Sequence, residues 1–401
     1  MILKKFLYSI FTRGIVALIN FLILLLSSRY LGVETRGEIS LFILNIANVQ
    51  MMSEIFTGYA LVHFIPKFSL KKIVSFAGLW ILCSVFIGTA ILWLFKYLIP
   101  HYEIEFIILS IMIILNTFCM VLILGKNNIR LYNWMSILQP LILLMTMTVN
   151  IFLEKIFTLE AYLEALFYSF GSALCINLYA LIHYLKKDTN NEFEWKPVFS
   201  NGFLSQWSNW MHLLSNRFNY YILSSFNLQF LGIYSTASAL IESVFIIYSG
   251  ISTVVLSYVS NEQDKEVSKN TCIRAARMSF ILTLFALVCI LLIPESWLVW
   301  ILGKGFLNIK MPMTILSFGA LMISYSAVFS HYFSGQGVLK YNAISNTIAC
   351  LFTILFSPVC IHKWGMTSAA TVATISYTIE AILVVYFFKR SEKVSWKNMW
   401  K

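Results

Sequence analysis

Charge is scarce in this sequence. Asp, Glu, Lys and Arg make up 12% of its 401 residues, whereas soluble domains carry about 25%. With 59% hydrophobic residues and a mean hydropathy of +0.79, that scarcity excludes a soluble globular chain and leaves no stretch that reads as a soluble domain. The seven cysteines, at 83, 119, 175, 272, 289, 350 and 360, make no C-x-x-C pair, which excludes a disulfide framework and a cysteine zinc site. The six histidines form no pair at ligand spacing, so His212 and His331 read as packed or interfacial and no metal is expected. Walker A, G-x-S-x-G and H-E-x-x-H motifs are missing, and with them the chemistries they carry. No loop exceeds about a dozen residues. A membrane glycosyltransferase or polymerase generally needs a larger one, so the enzyme alternative is disfavoured.

What the sequence does have is apolar runs of spanning length. A transmembrane helix needs about 17–25 apolar residues. The sequence predicts about twelve, over 6–31, 37–65, 73–99, 103–125, 131–153, 160–185, 199–226, 232–258, 272–300, 311–335, 339–361 and 365–388. The first is longer than the roughly 7–15 apolar residues of a signal peptide, and no small-x-small cleavage site follows it. The net charge of +11 sits in short loops: Lys4/Lys5, Lys67/Lys71/Lys72, Lys126/Arg130, Lys186/Lys187/Lys196, Lys265/Lys269/Arg274/Arg277, Lys340 and the tail from Lys389. These loops alternate with poorly basic ones, so the positive-inside rule places both termini in the cytoplasm. The same placement makes the basic residues topology signals and excludes nucleic acid as a partner.

The polar stretch 187–198 is the longest connection and reads as a cytoplasmic linker between bundles 1–186 and 199–401, six spans each. Two short echoes support a duplication. Gly37-Glu-Ile-Ser40 is matched by Gly232-Ile-Tyr-Ser235, and Tyr132-Asn-x-x-Ser136 by Tyr341-Asn-x-x-Ser345, at offsets of 195 and 209 residues. Six intervening spans give both halves the same orientation, as in parallel repeats.

Polar residues inside the spans mark candidate sites. Residues 199–226 contain no Lys, Asp or Glu but do contain Arg217. On a helix of 3.6 residues per turn, Gln206, Asn209, Trp210, Asn216, Arg217, Tyr220 and Tyr221 share one face. Such a stripe lines protein or water rather than lipid. Arg13, Asn20 and Ser27 recur every seven residues in span one; Gln50, Glu54 and Thr57 share a stripe in span two; Ser235, Ser238, Glu242 and Ser249 share one in span eight; Glu380 lies near the middle of span twelve. For Ser and Asn, the plain reading is helix-to-helix hydrogen bonding. A charge near the bilayer centre costs at least about 2.5–3.5 kcal/mol, so Glu54, Arg217, Glu242 and Glu380 line a cavity or pair with one another. An Arg217–Glu242 ion pair between spans seven and eight is the main structural rival to a ligand-binding role. Arginine beside aromatic rings and amides suits a ligand with anionic oxygens and sugar faces.

Three segments carry a family resemblance: residues 29–40 (RYLGVETRGEIS), 231–242 (LGIYSTASALIE), and 335–340 (GQGVLK) through 362–370 (HKWGMTSAA). Over nearly its full length the chain resembles polysaccharide-biosynthesis flippases that move O-antigen repeat units, members of the superfamily that includes the multidrug and toxic-compound extrusion (MATE) transporters. The resemblance implies an all-α integral membrane protein: two six-helix bundles related by pseudo-two-fold symmetry in a MATE-like V, with spans one, two, seven and eight lining the cavity. It implies no catalysis. The implied cargo is an undecaprenyl-pyrophosphate-linked oligosaccharide, of the O-antigen (lipopolysaccharide) or capsule type, carried across the bacterial inner membrane. Membrane lipid, a polysaccharide polymerase and a chain-length regulator are the other implied partners. On this reading Arg217, with Arg13, takes the pyrophosphate, while Asn20, Asn209, Trp210, Asn216 and Tyr220 meet cargo. No cofactor is implied; Glu54, Glu242 or Glu380 couples transport to H+ or Na+. A cation-coupled multidrug antiporter is the alternative. Twelve spans rather than fourteen argue against the lipid II subgroup.

Overall fold

The computed structural model describes residues 2–186, 188, 192–262, 264–395 and 399, so residues 187 and 189–191 of the predicted linker lie outside the described residues. Among the described residues every regular element is a helix. Internal packing divides the chain into residues 1–206 and 207–401. The boundary falls at Gln206/Trp207, inside a helix.

In the first unit α1 (Ile2–Leu26) leads through a π-helical turn (Ser27–Leu31) into α2 (Gly32–Thr57). A 3-10 turn (Tyr59–His63) precedes α3 (Leu70–Leu94), α4 (Glu103–Gly125), α5 (Ile129–Phe152) and α6 (Leu159–Lys186). Helix α4 is the hub and packs against α2, α3, α5 and α6. Its buried residues Phe106, Leu109, Ile113 and Phe118 recur at helical spacing. Between α4 and α6, Asn177 donates to Asn116 at 2.7 Å, a hydrogen bond that ties the two helices together.

Helix α7 (Trp195–Phe226) starts in the first unit. A Cβ on Gly202 would stand 2.0 Å from the Ile55 carbonyl oxygen, so only glycine lets α7 lie this close to α2. The second unit continues with α8 (Leu228–Glu242), α9 (Phe245–Asn261), α10 (Lys265–Leu292), α11 (Glu295–Leu302), α12 (Lys310–Gly335) and α13 (Lys340–Ser391). Here α12 is the hub, packed against α8, α9, α10 and α13, with Val328, Phe329, Tyr332 and Phe333 at 0–1% exposure.

The two hubs end in the same cap. The N–H groups of Lys126, Asn127 and Asn128 donate to the carbonyls of Leu122, Leu124 and Ile123; those of Gln336, Gly337 and Val338 donate to Tyr332, Ser334 and Phe333. Asn127 (φ 58) and Gly337 (φ 73) hold the left-handed position the cap requires. Immediately after, Ser136 donates to the Tyr132 carbonyl and Ser345 to that of Tyr341, both at 2.9 Å. The short sequence echo is therefore a repeated corner.

Among the described residues, eight helices are long and apolar enough to cross a membrane, or nine when the bent pair α8/α9 counts as one span; the sequence predicts twelve. Two causes account for the difference. Stretches Phe11–His63 and Lys340–Ser391, of 53 and 52 residues, each merge two predicted spans. At about 1.5 Å per residue either far exceeds the roughly 30 Å of bilayer hydrocarbon. Each contains a glycine with positive φ, Gly32 (φ 85) and Gly365 (φ 64). The third predicted span outside that count is α7, whose polar face lowers its hydropathy. Predicted ends also shift: the span expected over 272–300 begins at Lys265 and stops at Leu292, ahead of Pro294.

Candidate functional site: a charge network on α7, α8 and α13

In the second unit, a polar ladder holds α7 against α13. Asn346 donates to the Ser208 carbonyl at 3.0 Å, Thr353 to that of Ser215 at 3.2 Å, and Ser357 to the Asn219 side chain. The steps of seven and four are the same on both helices, so the contact runs along one seam. Asn219 also donates to Ala369 O at 3.0 Å and to Tyr234 Oη at 3.4 Å. With the seam fixed, the neighbouring face of α7 presents Arg217 to α8 and His212 to the far part of α13.

Arg217 is paired with Glu242, the last residue of α8. Through one terminal nitrogen, it also donates to Tyr220 Oη at 2.5 Å and Ser238 Oγ at 2.8 Å. Its Cζ lies 5.0 Å from the Tyr220 ring centroid, within cation–π reach. Ser238 donates to Glu242 at 2.7 Å, and Tyr377 approaches the same carboxylate oxygen at 3.5 Å. A carboxylate at a helix C-terminus opposes the helix dipole; Arg217 and Ser238 offset that. The chain bends by 45° between α8 and α9, immediately after Glu242. Broken helices at membrane depth are tolerated where protein or a cavity surrounds them.

A second pair lies beside the first. His212 Nδ1 is 3.1 Å from Glu380 Oε2, and Asn216 Nδ2 is 3.1 Å from His212 Nε2. As drawn, Asn216 Oδ1 is buried without a partner. Turning the amide over is equally compatible with the heavy atoms. Oδ1 then accepts from a protonated Nε2, and the imidazolium faces the Glu380 carboxylate.

No protein-family model and no curated protein matches this sequence. Solved structures do. One titled lipid II flippase MurJ, inward closed, superposes with a TM-score of 0.75 at 15% identity, covering 99% of this chain and 89% of its own. An inward-facing multidrug resistance MATE family transporter of the MOP superfamily gives 0.71 at 13%, covering 95% and 96%. A MOP superfamily transporter from Pyrococcus furiosus, titled for the reverse polarity of its binding pocket, gives 0.59 at 13%, covering 96% and 94%. The fold is the one these solved structures share.

On that fold the candidate residues fall into two groups. Arg217, Asn216, Tyr220, Glu242 and Glu380 are gathered in the second unit by the bonds above, with Tyr220 buried. Asn209 is exposed and Trp210 half-buried on α7, about two turns ahead of Arg217. Arg13 and Asn20 lie exposed on α1, in the first unit. Glu54 is buried there on α2, where Gln50 donates to it at 2.7 Å and Gln206 also bonds to it. His212, Ser238 and Tyr377 join the network without having been singled out as site residues. For His212 a signal exists: an intramembrane carboxylate such as Glu380 needs a donor, and His212 is the other basic residue of 199–226. Ser238 carries one too, as it shares the Glu242 stripe one turn earlier; Tyr377 carries none, since its role depends on how α8 and α13 pack.

Proposed function

We propose that this protein is a flippase for undecaprenyl-pyrophosphate-linked oligosaccharide repeat units, of O-antigen or capsule type. It would work by alternating access across a bacterial inner membrane, with both termini in the cytoplasm. Counting each 50-residue stretch as two crossings and adding α7 brings the nine spans to twelve, six in each half. The observation that carries the reading is the Arg217 network, inside a fold shared with a protein titled as a lipid II flippase. Arginine has five N–H donors; Tyr220, Ser238 and Glu242 take three, which leaves donors for a phosphate oxygen. The side chain is 23% exposed, so it is reachable. Pyrophosphate would compete with Glu242 for the guanidinium, and Asn209, Trp210, Asn216 and Tyr220 would meet sugar; in the first unit, Arg13 and Asn20 would contact cargo. Release of Glu242, or a proton moving on the His212–Glu380 pair, would couple the cycle to an ion gradient.

Deleting the gene in its native host tests this. Lipid-linked repeat units should accumulate unflipped, and an inserted Arg217→Ala protein should not restore surface polysaccharide. Normal polysaccharide in the deletion strain overturns the reading, and incomplete lipid-linked sugars would indicate an enzyme instead.

One observation favours a cation-coupled multidrug antiporter. Glu54 is held by amides and, among the described residues, forms no ion pair. That reading expects the deletion to alter drug sensitivity and leave polysaccharide intact. The pocket polarity named for the Pyrococcus furiosus transporter supports treating local charge, and not fold, as what selects cargo.

A further inference from the structure

Away from the Arg217 network, the second unit has a cavity of about 330 Å³ where the start of α10 meets the segment after α13. Four cations line it: Lys269, Arg274 and Arg277 from α10, and Lys393 from the tail. Glu266 is the one acidic lining residue, and Lys269 engages it at 2.5 Å. Among the described residues Arg274 and Lys393 have no hydrogen-bond or ion-pair partner, and both are exposed. Nearby Glu392 is drawn away by a side-chain bond to Tyr332.

The cavity is built, not merely basic. Arg277 Nε donates to the Met399 carbonyl at 3.0 Å, and Tyr325 Oη donates to the same oxygen at 3.4 Å. These bonds hold Met399 against Arg277 and fix the plane of the guanidinium. The α13 cap, with Val394 N–H on the Lys389 carbonyl and Lys393 at φ 51, sets Lys393 over α10. Ile273 and Val394, both buried, form an apolar floor. A water occupies about 30 Å³ of liquid, so a phosphate group and its first waters fit.

We propose that this cavity binds a phosphate-bearing anion, either an anionic phospholipid headgroup or soluble phosphate. Basic pockets beside membrane helices recognise phosphate headgroups, and each Lys or Arg near an anionic surface adds about fivefold in affinity. Removing Arg274 and Lys393 together should therefore weaken binding about 25-fold.

The test is native mass spectrometry of the full-length protein in detergent, titrated separately with phosphatidylglycerol, phosphatidylcholine and inorganic phosphate. A lipid site retains phosphatidylglycerol over phosphatidylcholine; a soluble-phosphate site binds inorganic phosphate and treats the two lipids alike. In either case Arg274→Gln/Lys393→Gln should lose binding about 25-fold. Arg390→Gln, exposed in the last turn of α13 but outside the cavity, should keep it. Absence of both preferences, or an equal loss in Arg390→Gln, overturns the proposal. If the double variant does not fold, wild-type protein decides: binding unchanged between 50 mM and 500 mM salt, about 14 Å to 4 Å in Debye length, also overturns it.

Discussion

Replacing Arg217 by Met removes the cation of a partly buried pair and leaves Glu242 with Ser238 and Tyr377 alone. Breaking one side of a buried ion pair costs about 3–5 kcal/mol, whereas replacing both partners by apolar or neutral groups is often neutral. The two side chains here are 23% and 17% exposed, so the low end, about 3 kcal/mol, is expected for Arg217→Met. For a unit of this size, that is a fall of about 6–12 °C in Tm. Glu242→Gln alone should cost less, because the guanidinium keeps Tyr220 and Ser238. Arg217→Met/Glu242→Gln should recover most of the loss, giving a coupling energy of about 2 kcal/mol in the double-mutant cycle. Tm is read by tryptophan fluorescence in detergent at one scan rate, and transport is read in the same variants. An Arg217→Met protein within 2 °C of wild type, or additive single effects, refutes the pairing argument. The double variant also separates the two roles of Arg217. Stability restored with transport still lost assigns the pair to transport, and Glu242→Gln alone, if it still transports, then assigns the arginine to cargo; transport restored along with stability makes the pair structural and removes Arg217 from the binding site.

Three further outcomes follow from the geometry. Gly202→Ala forces α7 off α2, because its Cβ would meet the Ile55 carbonyl at 2.0 Å; a loss of folded yield by size-exclusion chromatography is expected, and a wild-type profile would contradict the close approach. Asn219→Ala removes bonds to Ser357, Ala369 and Tyr234. At about 0.6 kcal/mol per intramembrane bond, the total is near 2 kcal/mol, and a Tm shift under 2 °C would show that the α7–α13 seam rests on apolar packing. Glu54→Gln should leave Tm within a few degrees, since its partners are neutral amides able to turn over. It should abolish any ion dependence of transport that Glu54 carries, and unchanged ion dependence would remove Glu54 as a coupling candidate.

Much of the fold is legible in the sequence because its strongest signals are local. Apolar runs locate α4–α6 and α12 to within about two residues and α3 to within about five, whereas α10 is displaced at both ends, and Pro294 explains the early stop that run length alone misses. Hydropathy cannot say whether two adjacent spans join as one helix. That depends on backbone at Gly32 and Gly365, where a single positive φ stands in place of a loop. The repeated corner at Tyr132 and Tyr341 was readable as a short echo, yet its physical content, three identical cap bonds, is carried by backbone groups that leave almost no sequence trace.

Periodicity singled out α7 but assigned its polar residues to a single purpose. The structure divides them. Gln206, at the start of the stripe, bonds Glu54 within the first unit, whereas Asn216, Arg217 and Tyr220 belong to the second. The reason is that helical spacing fixes which residues share a face and nothing about what that face meets along a 32-residue length of about 48 Å. Charge balance is more informative than periodicity here. The ionisable residues of 199–242 and Glu380 pair off as Arg217 with Glu242 and His212 with Glu380, the arrangement that leaves no unpaired charge in that part of the membrane. Glu54 is the carboxylate this rule leaves over, and for that reason its amide pair, rather than the arginine, is where a transported or coupling cation would have least to displace.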